Sequence, residues 1–292
     1  MPYATNGGVR LCFESFGDPA NTPLLLINGL GSQLINHDEE FIALLVDRGL
    51  FVTRADNRDA GLSTHFDGES SRVGEILADR REGRVPTPLY SLSDMADDSA
   101  AVLDALGVTR AHVAGWSLGG MIAQQLAIDH PERVATLTSI MSTTGDADVG
   151  QATPEANAVL MTPIPPGRDA YVERSVANNA VYGSPGLHDP ARLAERARAA
   201  YDRAFDPAGV SRQFAAVVGS PSRTDQLRSL SVPTLIIHGD RDALISVSGG
   251  VRTAEAVPGA RLEVIEGMGH DLVPQFFARV AGLIADHVIA NA

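Results

Sequence analysis

Cysteine is nearly absent from this chain of 292 residues, in which Cys12 is the only one. A single cysteine excludes an intrachain disulfide and any cysteine-rich metal site, and we expect Cys12 to be a buried apolar residue of a first strand. No stretch approaches the roughly 20 apolar residues that a membrane span needs. The N-terminus lacks the basic start and apolar core of a secretory signal, so we predict a cytoplasmic location.

Positive charge is also scarce, with 23 Lys and Arg against 36 Asp and Glu and a net charge of −13. This balance argues against a nucleic-acid partner, and it repels a strongly anionic substrate at long range. A neutral or cationic small molecule fits better. The hydrophobic fraction of 44% and the charged fraction of 20% are typical of a globular domain.

The most informative motif surrounds Ser117, where Gly115 to Gly119 read G-x-S-x-G. This is the pattern of a nucleophile elbow, a sharp strand-to-helix turn that exposes the serine hydroxyl. Arg110 to Ala114 resemble a strand, and Leu118 to His130 resemble a helix. The helix N-terminus points at the serine, so the amide of Leu118 is a free donor where an oxyanion would develop. The alternative is an ordinary turn with an incidental serine.

Strands and helices alternate along the rest of the chain, which predicts a mostly parallel sheet with helices on both faces. Further strands are predicted at Val9 to Phe16, Leu24 to Ile27, Leu50 to Arg54, Val134 to Met141, Val232 to His238 and Arg261 to Ile265. Core helices are predicted at Phe41 to Asp47 and from about Ser93 to Leu106, with a long loop from Thr64 to Tyr90.

The alternation of strands and helices stops between Thr143 and Leu230, where only helix-like segments follow one another. They lie near Asp169 to Ala180, Asp189 to Phe205 and Ala208 to Val218. We therefore predict a core of residues 1–142 and 231–292 with a helical cap, residues 143–230, inserted over the sheet.

A serine nucleophile needs a base and an orienting acid, which follow the elbow in the order acid, then histidine. Of the eight histidines, only His270 lies in a glycine-containing loop after the last predicted strand. The other seven, including His238 at a strand end, are interpreted as surface or packing residues. Asp240 and Asp242 compete as the acid; we favour Asp242 because it lies further along the loop, and Asp146 is a weaker alternative.

Five separated motifs, in this order, resemble those of the α/β-hydrolase superfamily. They are Asn28-Gly29-Leu30-Gly31, Asp56 to Ser63, the Ser117 elbow, Gly239 to Asp242 and Gly267 to His270. The resemblance spans about residues 8 to 288, and within the superfamily the chain is most similar to capped serine esterases of the aclacinomycin methylesterase type and to lipase-like hydrolases of actinobacteria.

The resemblance implies an α/β-hydrolase fold with an eight-stranded sheet and a catalytic triad of Ser117, Asp242 and His270. It also implies an oxyanion hole formed by the amides of Leu30 and Leu118, with no metal or organic cofactor. Asn28 departs from the pattern, because many members carry histidine there; it is expected to order the loop. Arg58 and Asp59 are expected to hold their own loop together.

The expected reaction is hydrolysis of a carboxylic ester of a small, largely apolar molecule through an acyl-enzyme. Relatives with an aspartate nucleophile, the haloalkane dehalogenases and epoxide hydrolases, are disfavoured by Ser117. Carbon–carbon bond hydrolysis, perhydrolysis and a non-catalytic receptor stay open as alternatives. Candidate pocket residues are Trp116, Met161, Tyr171 and Tyr182, with Ile164, Val176, Tyr201 and Phe205 as further cap residues. The oligomeric state is not predicted.

Overall fold

One sheet of eight strands runs through the molecule, and the computed structural model describes it together with all other residues from 1 to 292. The strands are β1 (Tyr3–Asn6), β2 (Val9–Phe16), β3 (Thr22–Ile27), β4 (Leu50–Ala55), β5 (Ala111–Trp116), β6 (Val134–Ile140), β7 (Thr234–Gly239) and β8 (Arg261–Ile265). Their order is β1-β2-β4-β3-β5-β6-β7-β8, with β1 and β2 joined antiparallel, β2 antiparallel to β4, and every later pair parallel. The predicted mostly parallel, eight-stranded sheet is confirmed.

Helices cover both faces of the sheet, and further helices form one long insertion between β6 and β7. They are α1 (Glu39–Val46), α2 (Val73–Arg81), α3 (Leu92–Ala105), α4 (Leu118–Asp129), α5 (Pro154–Met161), α6 (Arg168–Tyr182), α7 (Pro190–Arg203), α8 (Pro207–Gly219), α9 (Thr224–Leu227), α10 (Ser248–Ala256) and α11 (Pro274–Ile289). No helix combines the length and the apolar composition that a membrane crossing requires.

Strand β3 shows why the sheet is covered on both sides. Successive side chains of a strand point to opposite faces, and here Leu25 and Ile27 join the cluster around α3 and α4. Leu24 and Leu26 join a second cluster with residues of α1 and α11. All four are buried, so the continuous apolar run of this strand is what a sheet between two helical layers demands.

The five helices α5 to α9 lie between β6 and β7, and no strand interrupts them. Three begin with proline after a capping side chain, Thr153 before α5, Asp189 before α7 and Asp206 before α8. Proline suits the first turn because the missing amide has no partner there in any case. We propose residues 143–230 as the limits of a cap over the carboxyl ends of the parallel strands.

Several elements differ from the sequence-based expectation. The predicted loop from Thr64 to Tyr90 contains α2, in which only Ile76 is buried, so no apolar stripe marks it. Strand β1 is a short hairpin partner of β2 with no alternating pattern of its own. Helices α5, α9, α10 and α11 were also not predicted; α5 buries only Ala156, α9 is short, and α10 has two glycines in its first turn. Helix α3 is capped by Ser91 rather than Ser93.

Candidate active site

Ser117 occupies the turn between β5 and α4, with φ of 55° and ψ of −117°. A positive φ is rare for a residue with a side chain and signals local strain. The flanking glycines permit the turn. A Cβ on Gly115 would lie 2.0 Å from the carbonyl oxygen of Gly119, and a Cβ on Gly119 would lie 2.1 Å from that of Ile27. The structure therefore forms the sharp elbow that the five-residue motif predicted.

Loops after three different strands bring Ser117, Asp242 and His270 together. His270 Nε2 lies 2.9 Å from Ser117 Oγ, and His270 Nδ1 lies 2.8 Å from Asp242 Oδ2. An ionised carboxylate can only accept hydrogen bonds, so Nδ1 carries the proton and Nε2 is free to accept from the serine hydroxyl. In this tautomer the lone pair of Nε2 faces the hydroxyl of Ser117.

Asp242 is held by more than the histidine. Its Oδ1 accepts from the amides of Leu244 and Ile245 at 2.9 and 2.8 Å, and its side chain is wholly buried. Burial alone would raise the pKa of Asp242, but the charge of His270 and the hydrogen bonds from His238 and His270 outweigh it, so this pKa lies far below its usual range. The carboxylate therefore stays ionised beside the imidazole.

His238 lies beside Asp242, which the sequence did not reveal. Its position at a strand end suggested only a packing residue. Its Nε2 donates to the carbonyl oxygen of Ile245 at 2.8 Å and lies 3.3 Å from Asp242 Oδ2. The ring is fully buried beside the acid. His238 and His270 thus contact the same carboxylate oxygen, Asp242 Oδ2.

The two competing acids are engaged elsewhere. Asp240 accepts from the amide of Gly267 at 2.7 Å and so braces the turn after β7. Asp146 accepts from Thr224 at 2.8 Å and from Arg252 at 2.5 Å. Of the three carboxylates, only Asp242 lies against His270.

Leu30 and Leu118 belong to the two segments that meet at the elbow. Gly29, next to Leu30, lies so close that a Cβ on it would be 3.4 Å from Ser117 Cβ. Leu118 begins α4, where the first amides of a helix have no partner within the helix. Asn28 anchors this loop by donating to the carbonyl oxygen of Ala55 at 2.9 Å, as expected.

The histidine loop is fastened to the end of α6 by a set of hydrogen bonds that we call the clasp, formed by Asn179, Tyr182 and Ser184 with Gly269 to Asp271. The amide of His270 donates to the carbonyl oxygen of Tyr182 at 2.6 Å, and the amide of Gly269 donates to Ser184 Oγ at 2.9 Å. Ser184 Oγ in turn donates to Asp271 Oδ1 at 2.5 Å.

Two further contacts complete the clasp. Asn179 Nδ2 donates to Asp271 Oδ2 at 3.0 Å, and the amide of Ser184 donates to Oδ1 at 3.0 Å. The ring of Tyr182 meets the imidazole of His270 edge-on, with centroids 6.2 Å apart. No sequence motif pointed to the clasp, since its two halves lie about 85 residues apart.

A second connection joins helix α8 to the loop after β4. Arg212 donates to both oxygens of Asp59 at 2.9 and 2.8 Å, and to Asp206 at 3.1 Å. His65 Nδ1 lies 2.6 Å from Asp206. Asp59, His65 and Asp206 are close enough to share a cation, but the guanidinium of Arg212 already supplies the positive charge. Arg58 binds Asp98 of α3 at 2.6 Å. Arg58 and Asp59 are therefore structural, but they mainly tie the loop after β4 to α3 and α8 rather than holding only the loop itself together.

Above the triad lies a cavity of about 860 Å³, and Ser117 and His270 form part of its wall. This volume is at the upper end of the range for small-molecule sites. Nearly half of the lining residues are hydrophobic. The predicted pocket residues Trp116, Met161, Tyr171 and Tyr182 all line it, as does Ile164. Tyr201 and Phe205 instead pack against the ring of Tyr171, with centroids 5.6 and 5.7 Å away.

Beside the nucleophile, Trp116 packs on His37, with ring centroids 4.7 Å apart. Burial, together with the charges of Arg54 and Arg196, lowers the pKa of His37 to about 3. His37 is therefore neutral at physiological pH. Trp116 Nε1 and His37 Nδ1 are both buried without a hydrogen-bond partner.

Comparison with known proteins agrees with this architecture. A family described as alpha/beta hydrolase fold matches residues 22–276. Rhodomycin D methylesterase DnrP of Streptomyces peucetius is 32% identical over 308 aligned residues, covering 98% of this chain and 97% of the relative. Rhodomycin D methylesterase DauP of Streptomyces sp. (strain C5) is 31% identical over 310 residues, with the same coverage of 98% and 97%.

Among solved structures, a meta-cleavage product hydrolase of Pseudomonas fluorescens IP01 superimposes with a TM-score of 0.76 at 22% identity, over 100% of this chain and 98% of that one. At this identity the likeness concerns the fold. The family match extends over most of the chain, and the two methylesterases align over nearly its full length. The chain therefore belongs to the α/β-hydrolase fold family of enzymes.

Proposed function

We propose that this enzyme, a carboxylic ester hydrolase, acts through Ser117 as nucleophile, His270 as general base and Asp242 as the orienting acid. The observation that carries the proposal is the chain of contacts from Asp242 through His270 to Ser117, at 2.8 and 2.9 Å. The two rhodomycin D methylesterases that align over the whole chain are its support from relatives.

The proposed reaction has two halves. His270 Nε2 takes the proton of Ser117 as the serine oxygen attacks the ester carbonyl, and the resulting oxyanion lies between the amides of Leu30 and Leu118. The imidazolium then gives its proton to the departing alcohol, leaving an acyl-enzyme. Water attacks this ester with His270 again as base, which releases the acid and restores the serine. Asp242 stabilises the imidazolium in both halves.

The proposed substrate is a small molecule with a bulky, largely apolar acyl group, and a methyl ester is the first class to test. A cavity of about 860 Å³ exceeds what an acetyl or butyryl group would fill. The lining includes Phe41, Phe214 and Leu244, which present apolar surface to the acyl group.

The test is a substrate panel on the wild type alongside Ser117→Ala. The panel runs from acetyl to long-chain p-nitrophenyl esters and adds methyl esters of polycyclic acids. We expect hydrolysis by the wild type and a loss of about 10⁶-fold in kcat in the variant. Covalent labelling of Ser117 by a fluorophosphonate, absent in the variant, measures the nucleophile independently of substrate choice. Unchanged activity in Ser117→Ala would overturn the mechanism.

The panel also includes a β-diketone and a peroxide assay, because the same three residues support carbon–carbon bond hydrolysis and perhydrolysis. If the enzyme cleaves the β-diketone, or reacts with peroxide, faster than it hydrolyses every ester, that reaction replaces ester hydrolysis as the proposed function. An absence of labelling by the fluorophosphonate would favour a binding protein instead.

A further inference from the structure

Helix α6 turns one face to the cavity, and that face is polar. Its residues Tyr171, Arg174, Asn178 and Tyr182 all line the cavity. They follow one another at spacings of three and four, so they lie along one side of the helix. Each of the four side chains ends in a group that can donate a hydrogen bond. We call this set the donor face.

Arg174 is the charged member of the donor face. One nitrogen of its guanidinium, Nη1, has no hydrogen-bond partner. Nη2 donates to the carbonyl oxygens of Val159 and Thr162 at 3.3 and 2.6 Å, which fixes the side chain against the end of α5. Nη1 is buried and forms no hydrogen bond. A buried donor without a partner is unfavourable, so an acceptor oxygen that reaches Nη1 would complete the hydrogen bonding of the guanidinium.

The other arginines of the cavity are neutralised. Arg192 bonds to Asp38 and Glu40 at 3.1 and 3.0 Å, and Arg196 also reaches Asp38, at 3.4 Å. Arg174 has only main-chain carbonyl partners. In a chain with a net charge of −13, an arginine without a carboxylate partner in the substrate cavity is an exception.

Unpaired polar atoms are concentrated in this cavity. Seven buried side-chain nitrogen and oxygen atoms of the protein lack a hydrogen-bond partner, and five belong to cavity-lining residues: His37, Trp116, Arg174, Asn179 and His188. Most buried polar groups in proteins are paired. A ligand that carries polar atoms would supply partners to those of these groups that a side-chain movement turns toward the cavity.

The donor face also borders the reacting groups. The charge of Arg174 acts on the hydroxyls of Tyr171 and Tyr182, and the ring of Tyr182 lies edge-on to His270 at 6.2 Å. Burial raises the pKa of Tyr182 to about 12, with Arg174 partly opposing the rise. The Tyr182 hydroxyl therefore keeps its proton at neutral pH and remains a donor.

We propose that the donor face binds a hydrogen-bond-accepting oxygen on the acyl group, so that the enzyme prefers esters whose acyl group bears a second oxygen function distant from the ester. Arg174 makes a carboxylate or phenolate the strongest such group and a ring carbonyl a weaker one. This inference rests on the proposed ester hydrolysis at Ser117. The repulsion expected from the net charge does not oppose it, because exposed charges are largely screened beyond about 8 Å at physiological salt, whereas Arg174 acts at contact distance.

The test compares three methyl esters of equal ring size. They are methyl 2-naphthoate, methyl 6-acetyl-2-naphthoate and the monomethyl ester of naphthalene-2,6-dicarboxylic acid. We measure kcat/KM for each with the wild type, Arg174→Met and Arg174→Lys. Arg168→Met is the matched control, because Arg168 lies on the same helix but is exposed and pairs with Asp202 at 2.5 Å.

We expect Arg174→Met to lower kcat/KM for the carboxylate ester relative to the plain naphthoate by about 10- to 100-fold, as for a lost hydrogen bond to a charged group. Arg174→Lys retains part of the preference, and Arg168→Met retains all of it. Any loss of folded enzyme, and any difference in ester reactivity, cancels in these ratios. If Arg174→Met also lowers kcat/KM for the acetyl ester relative to methyl 2-naphthoate, neutral acceptors are bound as well.

An unchanged ratio in Arg174→Met would overturn the proposal. If the wild type hydrolyses none of the esters, ester hydrolysis is what fails, and the donor face is then tested by binding. Naphthalene-2,6-dicarboxylate is titrated calorimetrically into Ser117→Ala and into the same variant with Arg174→Met. Weaker binding by the double variant supports the donor face, and equal binding refutes it.

Discussion

The triad and the donor face of α6 line the same cavity but differ in how completely their polar atoms are paired. At the triad, Asp242 accepts from two amides and from His270, and both imidazole nitrogens have partners. On the donor face, Nη1 of Arg174 is buried and unpaired. In the proposed mechanism, the groups that would act on every turnover are therefore held by the protein itself, whereas a group proposed to select the substrate lacks a partner within the protein.

The clasp connects these two regions. Ser184 and Asn179, at the end of α6, bind Asp271, and the carbonyl oxygen of Tyr182 binds the amide of His270. The helix that presents the donor face therefore also fixes the loop of the base. Breaking the clasp would therefore release the loop of His270 from α6.

The largest effect is expected at the triad, whose polar atoms are all paired, in the variant Asp242→Asn. The amide cannot hold the tautomer in which His270 Nε2 accepts from Ser117, so kcat should fall about 10⁴-fold, as in other serine triads. Initial rates on a p-nitrophenyl ester measure it. Asp240→Asn is the matched control, because it alters the neighbouring carboxylate that binds Gly267 instead. A loss below tenfold in Asp242→Asn would contradict the assignment of the acid.

The clasp is tested by Ser184→Ala. The change leaves the buried amide of Gly269 without its acceptor, so the loop of His270 should shift and kcat should fall about 10- to 100-fold while KM changes little. Ser220→Ala is the control, since it removes a cap hydroxyl that bonds only within its own helix region, to Ala216. Hydrogen exchange at Gly269 gives a second readout. Equal kcat values in both variants would mean that the clasp does not position the base.

Tyr182→Phe separates the two roles of one residue. The ring beside His270 and the carbonyl oxygen in the clasp are retained, and only the hydroxyl of the donor face is lost. We expect kcat/KM to fall about 2- to 10-fold for oxygen-bearing naphthoates, as for a neutral hydrogen bond, with no change for methyl 2-naphthoate. An equal fall for all three esters would place the hydroxyl at the reacting centre rather than on the donor face.

The smallest effect concerns stability at the connection between His65 and Asp206. The hydrogen bonds to Gly61 and Asp206 outweigh burial and raise the pKa of His65. A raised pKa in the folded state means that the stabilisation is complete below the unfolded value of about 6.5 and is lost as pH rises through the folded pKa. His65→Gln should therefore lower Tm by about 2 °C at pH 6 and by less at pH 8.5. Calorimetry at both pH values measures it, and a pH-independent difference would refute it.

The sequence predicted most elements with strong patterns, although α11, whose apolar residues recur at helical spacing, was missed. The apolar run of β3 predicted a strand covered on both faces, and the motif around Ser117 predicted a turn after a strand and before a helix. Helix α2 was missed because eight of its nine residues lack burial, and its position depends on contacts with α8. The contact of His238 with Asp242 was missed because a buried histidine at a strand end has no pattern that distinguishes it from a packing residue.

The sequence alone determined the elbow at Ser117, since glycines on both sides of a serine in a strand-to-helix turn are a local requirement of backbone sterics. Local sequence also predicted a helical insertion between β6 and β7. Only the tertiary structure decided how that insertion meets the core. The pairing of Ser184 with Asp271 and the absence of a partner for Nη1 of Arg174 depend on distances between segments of the chain. Such distances are set by packing and not by any local pattern.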